Sequence, residues 1–141
     1  MTEQGERQAR FERGMALLEE VSGGQGQLFV DSMADVSPEL AHQAVAWGYA
    51  EIYGRPQLAP RDRQLLTLGM LTALGGCEPE LRMHIGTSLN VGLTPVEIVE
   101  ALLQSAGYCG FPRAINATKV AKEVFAERGL LPVEGTGRAQ H

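Results

Sequence analysis

At 141 residues, 44% of them apolar, the chain is sized for one folded domain with a real core and lies far from the disordered class. Its net charge of -5 leaves no basic surplus to neutralise phosphates, which excludes a general nucleic-acid binder while leaving room for a local basic pocket. No run of eighteen apolar residues is present, and the polar start from Met1 to Arg7 has no hydrophobic signal core, so the expectation is a cytoplasmic protein without a membrane span.

The chain reads as helices separated by clean punctuation. A first amphipathic helix is expected from Glu6 to Val21, with Phe11, Met15, Leu17 and Leu18 on or near one face, broken by Gly23-Gly24-Gln25-Gly26. A short apolar piece, Leu28-Phe29-Val30, leads to Ser37-Pro38, where serine caps and proline suits the first helical position. The helix from Pro38 to Tyr53 carries Leu40, Ala44, Trp47 and Ile52, and Trp47 reads most simply as a core anchor. Pro60 opens a helix apolar nearly all round, through Leu65, Leu66, Leu68, Met70, Leu71 and Leu74, which places it centrally in a fold or between subunits.

Gly75-Gly76 closes that helix, Pro79 starts the next, and Gly92 ends it. Thr94-Pro95-Val96-Glu97 has the form of a capping box, opening a helix that runs to about Gly107. Phe111-Pro112 introduces a last helix with Ile115, Val120, Val124 and Phe125, ended by Gly129. From Val133 the chain is small and polar, and a frayed tail over 133–141 is expected. No segment sustains a two-residue alternation, so the fold class is all-α, with residues 1–132 as a single domain.

Chemistry concentrates on one helical face. Cys77, Glu80 and His84 are spaced i, i+3, i+7, with Glu80 and His84 one turn apart. A carboxylate beside an imidazole favours the protonated ring and fixes which nitrogen carries a proton; a surface contact or a capped core histidine has the same spacing. Arg63, Arg82 and Arg113 offer paired N–H donors to carboxylates, or are solvated surface residues. Gln104 and Tyr108, four apart, can face one cleft, and Asn116 can cap, pack or bind. Cys77 and Cys109 form no C-x-x-C and read as two free, partly buried thiols, while His42, His84 and His141 show no metal-ligand spacing, so no metal site is expected.

The joint order of these residues resembles the carboxymuconolactone decarboxylase family, whose helical fold is shared with the alkylhydroperoxidase D-like proteins. The matching segments are Trp47-Gly48, Arg61-Asp62-Arg63, Ala73-Leu74, Glu80-Leu81-Arg82-Met83-His84, Gly92-Leu93-Thr94 through Ile98, Tyr108-Cys109-Gly110-Phe111-Pro112 and Asn116-Ala117, spread from Trp47 to Phe125. The resemblance implies an alkylhydroperoxidase D-like bundle of about six to seven helices. The redox branch carries Cys-x-x-Cys-x-x-x-His, and here Glu80 stands where the second cysteine would be, so the resemblance favours the decarboxylase branch. That branch converts 4-carboxymuconolactone to the enol-lactone of 3-oxoadipate without a cofactor, in the breakdown of aromatic compounds.

By that analogy His84 is the proton donor or oxyanion stabiliser and Glu80 orients it. Arg63 grips a substrate carboxylate, and Tyr108 and Asn116 are pocket residues. The implied partners are a small anionic lactone or carboxylic acid and further copies of the chain, as a homotrimer or homohexamer. Two other readings stand beside this one: a thiol-dependent peroxidase or reductase using Cys77 and Cys109, and a non-catalytic homologue that binds another small molecule.

Overall fold

The computed structural model describes residues 1–137, and the last part of the expected tail, 138–141, lies outside the described residues. The all-α expectation holds: no strand occurs among the described residues, which form seven α-helices, the third continuing into a π-helix. The chain divides into two compact units, Met1–Pro60 and the stretch from Arg61 onward.

The first unit is built on α1 (Glu3–Ser22), whose N-terminus is capped by the Thr2 hydroxyl accepting from the Gly5 N–H at 3.0 Å and which ends in a left-handed Gly23. The apolar piece around Leu28 forms a helix, α2 (Gly26–Met33), rather than a linker. The expected serine cap holds at α3 (Pro38–Gln43), where the Ser37 hydroxyl accepts from the Leu40 N–H at 3.3 Å. The chain then widens into a ten-residue π-helix, Ala44–Tyr53, closed by a hydrogen bond from the Gly54 N–H to the Tyr49 carbonyl at 2.9 Å.

Helix α1 packs on this π-helix at Gly14. A Cβ placed there would drive into the Val45 backbone carbonyl and come within 2.9 Å of Val45 Cγ1, so only glycine lets the two backbones meet. Val45 and Ala46 fill the buried side of the contact, which sends the next residue outward. Trp47 is 60% exposed and is not the core anchor its size suggests. The unit is tied further by the Arg7–Glu39 and Arg10–Glu51 ion pairs and by the Phe11 and His42 rings, stacked at 5.2 Å.

The second unit carries α4 (Pro60–Leu74) from its second residue onward, α5 (Glu78–Asn90), α6 (Pro95–Cys109) and α7 (Phe111–Glu127). Its core gathers Leu68, Leu81, Ile85, Ile98, Leu102, Val124 and Phe125, with α5 and α6 packed on α7. The capping box forms in full: the Thr94 hydroxyl accepts from the Glu97 N–H at 3.2 Å, and Glu97 Oε1 accepts from the Thr94 N–H at 3.0 Å. The other Glu97 oxygen pairs with Arg61 at the start of α4, so one carboxylate ties two helix N-termini together. Arg61 first, then the Thr94 backbone, holds this carboxyl below its usual range. Val133, at the start of the expected tail, packs against the core.

Helix α4 differs from its sequence pattern. Its buried stripe is Gln64, Leu68 and Thr72, whereas Leu66, Met70 and Leu74, at 56%, 50% and 69% exposure, form an apolar stripe on the outside. The helix is buried along one side, not all round.

The Gly14 contact generates a direct test. Glycine to alanine in an open helix gains about 1 kcal/mol in propensity. At this crossing Gly14→Ala is expected instead to lower stability by about 1–3 kcal/mol, read from the shift of the denaturant midpoint at constant slope.

Candidate active site

His84 lies in the middle of α5, between the positions of Leu81 and Ile85 that face the core, and its ring is half-buried. The imidazole Nδ1 is 3.1 Å from the Oε1 of Gln64 on α4, and Gln64 is fully buried. The backbone around the ring is also fixed, since the Ser88 hydroxyl donates to the His84 carbonyl at 2.6 Å. Burial lowers the imidazole pKa from its ordinary value, outweighing the opposing field of Glu80 one turn earlier. At neutral pH the ring is therefore mostly uncharged.

Among the residues that the sequence singles out, Glu80 is exposed and acts on His84 through its charge, while the ring's hydrogen bond goes to Gln64. Arg63 is half-buried on α4, next in sequence to Gln64, and Asn116 is exposed on α7. Tyr108 is 90% exposed at the end of α6. It stands with Gln104 on one wall of a groove of about 1040 Å³ between α4 and α6, as their spacing suggests; Leu65, Met70, Val96 and Cys109 also line it. Of the five sequence candidates only Tyr108 lines this groove; His84, Glu80, Arg63 and Asn116 do not.

Both cysteines are free. The Cys77 thiol donates to the Gly75 carbonyl at 3.5 Å in the α4–α5 turn, and the Cys109 thiol donates to the Ser105 carbonyl at 3.0 Å. Only Cys109 lines the groove. The turn that holds Cys77 has two left-handed glycines, Gly75 and Gly76, and the Arg113 side chain lies against the first of them.

Gln64 is the residue that reading the sequence misses. Glutamine is ordinary on a helix surface, so it draws no attention alone. The available signal is its register: it precedes Leu68 and Thr72 at four-residue steps on the buried stripe, where an amide must find a partner.

Comparison with known proteins places these features in a family. The family model for the carboxymuconolactone decarboxylase family matches residues 38–123, and the chain belongs to that family. With it comes the alkylhydroperoxidase D-like all-α fold class. The chain is 32% identical over 124 residues, 87% of its length and 92% of the relative's, to a protein of Acinetobacter baylyi named 4-carboxymuconolactone decarboxylase. It is 31% identical over 68% of its length, and 72% of the relative's, to an uncharacterized 15.0 kDa protein of Paracoccus denitrificans. It is 38% identical over 56% of its length, and 54% of the relative's, to a protein of Metarhizium robertsii named nitrosuccinic acid decarboxylase.

The lowered pKa of His84 sets a pH dependence of stability. Below the ordinary imidazole range, about 6.5, the unfolded chain takes up a proton that the folded chain resists, so stability falls as the pH drops toward the lowered folded value. Above that range this contribution vanishes. The melting temperature of the native protein is expected to fall more steeply than that of His84→Gln between about pH 7 and about pH 5. His42, whose pKa is also lowered by burial, is present in both proteins and cancels in the comparison.

Proposed function

We propose that this protein is a cofactor-independent carboxy-lyase acting on 4-carboxymuconolactone or a related small lactone acid, yielding a product of the 3-oxoadipate enol-lactone type. The observation that carries the reading is the similarity, over nearly the whole chain, to a protein named for that reaction, joined to a half-buried His84 whose Nδ1 lies 3.1 Å from the Gln64 amide oxygen. A second relative is named as a decarboxylase of a different acid, so carbon dioxide loss is the common element and the acid varies.

When the substrate carboxylate leaves, its electron pair spreads through the conjugated lactone to the carbonyl oxygen, and the substrate serves as its own electron sink. The protein then has to hold an anion, stabilise the developing charge and return a proton to carbon. In this reading His84 takes up a solvent proton at Nε2 and delivers it to the carbanionic carbon after carbon dioxide has departed. Arg63 holds the acetate side arm rather than the departing carboxylate, because gripping the latter would stabilise the ground state equally. Glu80 biases the imidazole toward the charged form it must briefly adopt, and Tyr108 and Asn116 contact the substrate.

The same reading makes the protein a cytoplasmic homotrimer or homohexamer, with the outer stripe of Leu66, Met70 and Leu74 covered by a second copy. Light scattering is expected to give a multiple of the 15.2 kDa chain mass; a monomer at working concentration overturns the assembly.

For the reaction, the purified chain is mixed with 4-carboxymuconolactone, and substrate loss and carbon dioxide release are followed. Turnover is expected, reduced on the order of 100-fold or more in His84→Gln with an unchanged circular dichroism spectrum. Unchanged turnover in that variant removes His84 from the chemistry. A folded, oligomeric protein without turnover moves the substrate to another acid.

A further inference from the structure

We infer that Gln64 is a positioning residue for His84: its amide oxygen holds Nδ1–H, so that Nε2 alone exchanges protons. The inference deepens the proposed function, since it assigns a role within the same site. It rests on placement. Gln64 is fully buried on the stripe of α4 that otherwise carries Leu68 and Thr72 into the interior, and its Oε1 lies 3.1 Å from Nδ1. A buried amide without a partner is costly, and leucine at that position would bury more apolar surface. A buried side chain of this type is held by hydrogen bonding, its amide oxygen is an acceptor only, and that oxygen is the atom facing Nδ1.

Two consequences follow for an imidazole that must accept a proton and give it back. The proton on Nδ1 stays in place whether the ring is neutral or charged, so the ring need not turn between the two halves of a cycle. An amide also carries no charge, so it orients the ring without adding a second carboxylate field to that of Glu80, the charge that acts on the ring from its own helix. A glutamate at position 64 would keep the geometry but would bind the charged ring more tightly and slow its return of a proton to carbon.

The test uses the full ¹⁵N-labelled chain at about pH 8, above the ordinary imidazole range. Long-range proton–nitrogen correlation reads the His84 tautomer, the signals being identified by their loss in His84→Gln. The native protein and Gln64→Glu are expected to show the Nδ1–H form, and Gln64→Leu to move toward the Nε2–H form that free imidazole side chains prefer. With 4-carboxymuconolactone, Gln64→Leu is expected to lose at least about tenfold in kcat with KM little changed, and Gln64→Glu to recover part of that loss.

An Nε2–H tautomer in the native protein overturns the inference, as does a tautomer that Gln64→Leu leaves in place, or a kcat indifferent to the change. If Gln64→Leu does not fold, the native and Gln64→Glu spectra still decide the matter. A tautomer that follows residue 64 in a protein that does not turn over the lactone supports the positioning role and counts against the proposed substrate alone.

Discussion

The requirement that a buried amide be hydrogen-bonded constrains how α4 meets α5 in the second unit. Contacts in the core of Leu68, Ile85, Ile98, Leu102 and Phe125 are non-directional. The Gln64 contact is directional, since its amide oxygen meets the imidazole Nδ1 at 3.1 Å. The pair links the buried stripe of α4 to the middle of α5. Leu66, Met70 and Leu74 lie on the exposed side of α4, and Leu66 and Met70, with Leu65, also wall the groove beside α6.

Glu97 supplies the complementary restraint at the end of that groove. It closes the capping box of α6 and pairs with Arg61 at the start of α4, while itself contributing to the groove wall. An exposed ion pair of this kind adds little to overall stability. Its influence is geometric: it sets where α6 begins relative to α4. The separation of the two groove walls is therefore set by polar contacts at one end and by core packing along the rest.

Features written in local chemistry were legible in the sequence. The Ser37 cap, the Gly75-Gly76 turn and the Thr94–Glu97 capping box each depend on a few adjacent residues, and each forms where it was read. The family pattern likewise followed from ordered short motifs, and the family model covers most of the same stretch. Features decided by distant contacts were not legible. Trp47 is exposed because Gly14, more than thirty residues earlier, admits Val45 and Ala46 into the contact and turns the indole out. The π-helix has no side-chain period to announce it, and α4 looks apolar all round because sequence does not say which leucines meet a neighbour. Within the site, His84 stood out by its chemistry and its spacing from Glu80. Its hydrogen-bond partner did not, because Gln64 sits on a different helix and belongs to a residue type usually found in solvent.

The joint between α6 and α7 is a single residue, Gly110, which ends one helix and begins the next with φ at 90°. Tyr108 and Cys109, on the groove wall, therefore have no loop of their own on which to swing. Their backbone follows α7, whose Ala117, Val120, Ala121 and Phe125 are locked in the core. The wall of the groove at this end therefore takes its position from the packing of α7 in the core. Repacking the interior beneath α7 is thus a way to move the groove wall without changing any residue that lines it.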